Sequence, residues 1–277
     1  KMSPEEHLAH IKQTIDYALS KDFTVNLYLE DWSSGMRDSR DYLFMMMDEL
    51  VKLPIKRFLL PDTLGILNPL QCVEYMRQMV RRYPNSHFDF HAHNDYDLAV
   101  SNSLAAVLSG AKGLHVTVNG LGERCGNAPL ASVQVILKDM FEAKTNIKED
   151  RLNDISRLVE GYSGIAVAPN TPVVGDNVFT QVAGVHADGD NKDKLYCNDL
   201  VPERFGRHRE YALGKNSGKA NIIQNLNELG LELTPEQTKA VTKRITELGD
   251  RKELVTQDDL PYIVSDVLKH STPEDKV

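Results

Sequence analysis

The run Phe88-Asp89-Phe90-His91-Ala92-His93-Asn94-Asp95-Tyr96-Asp97 places two histidines two residues apart in a stretch that alternates apolar and polar like a strand. Residues two apart on a strand share a face. His91 and His93 therefore point one way, and Phe88 and Phe90 the other. Two neutral imidazoles on one face, at the end of a strand, can hold a divalent metal. The same residues also suit an exposed polar loop. Other residues able to do chemistry stand where apolar runs end. Glu30 closes the alternating stretch Thr24–Glu30, with Tyr28 on the way. Thr63 follows the run Arg57–Leu60, and Asn127 closes the Gly-rich loop Asn119-Gly120-Leu121-Gly122-Glu123-Arg124-Cys125-Gly126-Asn127. From the residues alone, Glu30 is equally a salt-bridged carboxylate and Thr63 equally a turn residue, while Asn127 reads first as a loop-capping amide. Glu123 and Arg124, adjacent and opposite in charge, read as an ion pair that holds their loop. His186, Asp188 and Tyr196 form a second polar group. Gly214-Lys215-Asn216-Ser217-Gly218-Lys219 lacks the spacing of a nucleotide-binding loop and reads as a structural turn.

The elements that must position these residues follow from periodicity. Ser3-Pro4-Glu5-Glu6 is a capping box with proline at the first helical position, and Leu8, Ile11, Ile15 and Leu19 follow at helical spacing. Helices are expected at 41–51, 69–82, 98–108 and 129–141, and strands at 24–30, 57–60, 87–91 and 113–118. The methionines of the 41–51 helix, Met46 and Met47, read as core filler. Alternation at this spacing means βαβ units and a parallel sheet. The residues named above up to Asn127 all fall at strand ends, which is where a (β/α)8 barrel carries its active site. Such a barrel needs eight strands and four are visible. Beyond about residue 145 the pattern changes: a helix at 150–162, a Pro/Gly-punctuated segment at 166–189, then helices at 220–229, 235–248 and 257–270, with Thr234 and Thr256 as caps. Residues 1–145 and 146–277 are thus expected to be separate domains.

Composition narrows the function classes. The 277 residues are 41% hydrophobic and 26% charged, as in an ordinary globular enzyme. A net charge of −8 without a basic run argues against nucleic acid or an anionic membrane as partner. No apolar run approaches the roughly 20 residues that span a bilayer, and no signal-peptide pattern opens the chain. Three isolated cysteines, Cys72, Cys125 and Cys197, fit a reducing compartment and a cytoplasmic location.

The segments His91–Asp95, Asn119–Asn127, Gly184-Val185-His186-Ala187-Asp188-Gly189 and Leu213–Gly218 occur in that order. With these motifs the chain resembles the 2-isopropylmalate synthase, citramalate synthase and homocitrate synthase family. Tyr28-Leu29-Glu30-Asp31-Trp32 and Val185–Tyr196 look most like the citramalate branch. The resemblance implies an α/β fold, the C-terminal half of a (β/α)8 TIM barrel followed by α-helical subdomains, in a chain that begins after the fourth strand. It implies an acyltransferase of leucine or isoleucine biosynthesis that condenses acetyl-CoA with a 2-oxo acid and hydrolyses the thioester. A divalent metal (Mn, Mg or Zn) would be held by His91, His93 and Asn127. Thr63 would bind the oxo-acid carboxylate, Tyr28 would narrow the pocket in favour of pyruvate, and Glu30 would act as acid/base or orient acetyl-CoA. His186, with Tyr196 and Asp188, would reach the partner subunit's barrel in a homodimer and move the proton. The family's first-strand Arg-Asp-Gly run is missing, so this chain alone is expected to be inactive.

Two alternatives remain. A lyase of the same barrel type, cleaving a 3-hydroxyacyl-CoA, would carry a cysteine in a Gly-Gly-Cys loop, whereas the loop here reads Gly122-Glu123-Arg124-Cys125. A fragment serving only folding or dimerisation is the non-enzymatic reading.

Overall fold

Burial repeats with period two along a strand and 3.6 along a helix, and the chain's apolar residues sort accordingly. The computed structural model describes residues 2–181, 198–211, 213–214, 217–253 and 255–269. The chain divides into two compact units, residues 1–147 with 155–165, and residues 148–154 with 166–277.

The first unit opens with α1 (Pro4–Leu19) on its capping box. The Glu6 amide donates to Ser3 Oγ at 3.1 Å, and the Ser3 amide donates to the Glu6 carboxylate at 2.8 Å. Then come β1 (Asn26–Tyr28), α2 (Trp32–Asp38), α3 (Arg40–Leu50), β2 (Arg57–Asp62), α4 (Pro69–Arg82), β3 (Phe88–Ala92), α5 (Ala99–Leu108), β4 (Gly113–His115) and α6 (Leu130–Phe141). The strands form one parallel sheet in the order β1-β2-β3-β4. Neighbours in the sheet are neighbours in sequence. This is how a barrel wall winds; a doubly wound sheet reverses its order at a switch point.

The expected strand at 113–118 stops at His115 and continues as a 3-10 turn, Val118–Gly120, with Asn119 at φ +58°. Helix α2 has no counterpart among the expected elements. Its sequence, Trp32-Ser33-Ser34-Gly35-Met36-Arg37-Asp38, is poor in helix formers, and Trp32 and Met36, one turn apart and both buried, hold it down.

The sheet has two different faces. Phe58, Leu60, Phe88, Phe90 and Ala92 point to the helices and meet Trp32, Met36, Met47, Leu50, Met76 and Met79 in one apolar cluster. Met46 and Met47 belong to that core, as their helical spacing implies. Each large side chain buried in full contributes roughly 1.5–3 kcal/mol. The opposite, concave face carries Tyr28, Asp89, His91 and His115.

The second unit contains the first turn of α7 (Leu152–Ser163), a parallel pair of two-residue strands, β5 (Thr180–Gln181) and β6 (Glu210–Tyr211), and helices α8 (Lys219–Glu228), α9 (Pro235–Asp250) and α10 (Leu260–Lys269). Ile222, Leu226, Val241, Ile245, Leu260 and Val264 form its core. Thr234 caps α9 in a box with Gln237, and Thr256 is boxed with Asp259 ahead of α10. A second apolar node stacks Phe179 on Phe205, centroids 5.6 Å apart, beside Arg204, which holds the nearly buried Glu149 at 3.0 Å. Among the described residues, no helix is long and apolar enough to cross a membrane.

Candidate active site

His91 lies on β3 and His93 just beyond it, on the face opposite Phe88 and Phe90. Their rings stand 5.1 Å apart at 80°. Burial, followed by the neighbouring His93 and His115, pushes the His91 imidazole down to about 4, so the ring is neutral at physiological pH. Nδ1 of each ring is buried without a hydrogen-bond partner. Orphaning such an atom costs about 1–3 kcal/mol, a penalty that a bound cation relieves.

Asn127 reaches the pair from the loop after β4. Its backbone forms an antiparallel bridge with His93, and its Nδ2 lies 3.3 Å from His91 Nε2 and 3.3 Å from the Ala92 carbonyl. The orientation of such an amide is assigned from its partners, and a flip turns the carbonyl oxygen toward His91. The loop's glycines make this approach possible. Gly126 has φ +78°, which a side chain resists, and a Cβ on Gly122 would collide with Asn127 Oδ1. Two imidazoles, that of His91 neutral, and a carboxamide thus converge, and they fit a divalent cation as part of its ligand set. Among the described residues, no group of three His, Cys, Asp or Glu side chains could hold a metal.

Thr63 Oγ1 donates to Glu30 Oε1 at 3.0 Å and accepts from the Asp31 amide at 3.1 Å, so the loops after β1 and β2 are joined there. The Glu30 carboxylate is exposed. The Tyr28 hydroxyl meets His115 Nδ1 at 2.6 Å, and its ring stands edge-on to His91, with centroids 6.3 Å apart. His186, Asp188 and Tyr196 lie outside the described residues, as do Lys215 and Asn216. On either side of that last pair, the Gly214 amide donates to Ser217 Oγ at 2.7 Å.

Arg124 corrects one expectation. Its principal partner is not Glu123, which is 3.7 Å away and exposed, but Asp95, gripped by Nε at 2.7 Å and Nη2 at 2.9 Å. Arg124 also donates to the Thr63 carbonyl at 2.7 Å. One guanidinium therefore ties together the loops that follow β2, β3 and β4, and it holds the Asp95 carboxyl below its usual range. Sequence reasoning did not single out Asp89 or His115 either. The available signal was strand spacing for Asp89, which stands two residues before His91 and shares its face. His115 is the cross-strand register partner of His91, which no local pattern announces.

Residues 1–159 match the HMGL-like family and residues 173–253 the homocitrate synthase post-HMGL domain-like family. The chain belongs to the HMGL-like family. It is 36% identical to a protein of Methanopyrus kandleri named "Putative (R)-citramalate synthase CimA", over 99% of this chain and 54% of that one. It is 37% identical to the 2-isopropylmalate synthase of Methanocaldococcus jannaschii, over 100% of this chain and 54% of that one. The chain thus spans about half the length of these curated relatives. Among solved structures, the HMG-CoA lyase of Bacillus subtilis superposes with a TM-score of 0.53 at 23% identity, covering 59% of this chain and 57% of that one. That likeness concerns the fold: an α/β, TIM-barrel-type HMGL-like architecture. The histidine pair, Asn127, Tyr28, Glu30 and Thr63 all lie within the HMGL-like match.

Proposed function

We propose that this HMGL-like protein is an acyltransferase that condenses acetyl-CoA with a 2-oxo acid, pyruvate or 2-oxoisovalerate, and hydrolyses the thioester, as a step toward isoleucine or leucine. The observation that carries the reading is the convergence of neutral His91, His93 and Asn127 on the face that also presents Tyr28, beside the Thr63–Glu30 pair. The relatives' names point the same way.

In this reading His91, His93 and Asn127 would hold a divalent metal, and the chemistry it would supply there is Lewis-acid polarisation of the 2-oxo carbonyl. Thr63 gives its hydroxyl to the oxo-acid carboxylate, exchanging its present acceptor, Glu30. Released from that bond, Glu30 orients acetyl-CoA or takes up a proton. The ring of Tyr28 walls the pocket for the oxo acid's side chain. His186, Asp188 and Tyr196 come from the partner subunit of a homodimer; His186 removes the weakly acidic methyl proton of acetyl-CoA or activates the hydrolytic water.

The test is CoA release by the protein, with any sequence that flanks residues 1–277 included, given acetyl-CoA, Mn and either 2-oxo acid. Release dependent on the oxo acid is expected, with citramalate or 2-isopropylmalate as the product. No release with any 2-oxo acid, or cleavage of a 3-hydroxyacyl-CoA in its place, sinks the reading.

A further inference from the structure

Tyr28 and His115 stand on strands separated in the sheet by β2 and β3, yet their side chains meet across the concave face. Three rings gather there. Tyr28 is 6.3 Å from His91 and 5.7 Å from His115, and His91 is 5.9 Å from His115, all centroid to centroid. We propose that His115 is a positioning residue that fixes the Tyr28 phenol beside His91 and thereby sets the width of the pocket for the 2-oxo acid's side chain. The proposal deepens the reading given above and rests on it for the identity of the substrate.

The first support is mechanical. Tyr28 is 46% exposed, so packing alone does not hold its ring. The hydrogen bond at its tip is the restraint, and at 2.6 Å it is short for an oxygen donor and a nitrogen acceptor. The second is the tautomer. Asp89 Oδ2 lies 3.6 Å from His115 Nε2, too far for a hydrogen bond but close enough to favour a proton on that nitrogen. Nδ1 then keeps its lone pair for the phenol. Burial and the carboxylates of Glu30 and Asp89 raise the Tyr28 phenol above its usual range, so it remains a donor.

The third support is the anchor itself. Asp89 is 2% exposed and is held by His87 Nε2 at 2.8 Å and Arg57 Nη1 at 3.3 Å. Gly113 faces it across the β3–β4 register, and a Cβ there would collide with Asp89 Oδ1. The glycine leaves the room that this carboxylate occupies. A phenol fixed in this way passes the methyl of pyruvate and obstructs the isopropyl group of 2-oxoisovalerate. Hydrophobic pockets discriminate between groups of such sizes by roughly 10–200-fold.

The experiment compares wild type, His115→Ala, His115→Asn, Tyr28→Phe and the Tyr28→Phe/His115→Ala double variant in steady-state CoA release with both oxo acids. In His115→Ala the ratio of kcat/KM for 2-oxoisovalerate to that for pyruvate should rise about tenfold, chiefly through KM. His115→Asn retains an acceptor near Nδ1 and should restore most of the parent ratio. The double variant should shift the ratio no further than the larger single change, because both remove one bond. A crystal structure of His115→Ala should show the Tyr28 ring displaced from His91. An unchanged ratio with both kcat/KM values falling together, or a Tyr28 ring that stays in place, overturns the proposal. If wild type releases no CoA, the synthase reading is lost, and the crystal structure by itself judges the positioning role.

Discussion

At the scale of single residues, His91 is the group whose protonation is most altered by folding toward a stated use. Its imidazole titrates near 6.5 when unfolded and near 4 when folded. The folded value is depressed, so His91's contribution to stability is complete above pH 6.5 and is lost as pH falls toward 4. Histidine-ring NMR of the metal-free protein should therefore show one ring still neutral at about pH 5, and His91→Asn should remove that resonance. A ring that titrates normally would contradict the burial and the His93 and His115 proximity described for it. Asp62 illustrates the opposite case. It is buried and its carboxyl is raised by burial, yet its oxygens accept from the Ile66 and Leu67 amides at 3.0 and 3.2 Å. It shapes the turn that delivers Thr63 and has no need to meet a substrate.

At the scale of elements, the glycine loop after β4 acts as a mould for Asn127. Gly122→Ala should push the carboxamide away from His91 and lower the affinity of the site for Mn about tenfold or more, as losses of supporting contacts at metal sites do. Circular dichroism should stay unchanged, because Gly122 lies in no helix or strand. Calorimetric titration with Mn provides the measurement, and wild-type affinity in the variant would refute the role. Sequence legibility divides along the same line. Helices α4 and α6 and strand β3 could be read because burial imposes a period on neighbouring residues, and caps such as Ser3 and Thr234 act within one turn. The pairing of Arg124 with Asp95 could not be read, because the partners are far apart in sequence and the nearer Glu123 offered a local explanation. The Tyr28–His115 bond was hidden for the same reason, since only the curl of the sheet brings β1 and β4 together. Helix α2 was missed because propensity spoke against it and tertiary burial of Trp32 prevailed. The histidine pair was legible since two residues on one strand share a face wherever the sheet goes.

At the scale of the molecule, two cores imply two separable stabilities. In the second unit, Arg204 and Glu149 have side chains only 19% and 6% exposed. Removing one partner of such a pair costs about 3–5 kcal/mol, since the other charge is left buried. Arg204→Ala should therefore lower the urea midpoint of the second unit while Trp32 fluorescence, which reports on the first unit's core, keeps its own midpoint. A single shared transition that moves as a whole would show the two cores to be one cooperative body.

The order β1-β2-β3-β4 carries a consequence for handling. Within the described residues, β1 and β4 each pair on one side only, so each leaves a row of backbone amides and carbonyls without strand partners. Such rims are templates to which any extended peptide can add a further strand. They are short, three residues apiece, which limits their grip. Each rim thus offers no more than three residues of backbone to an added strand.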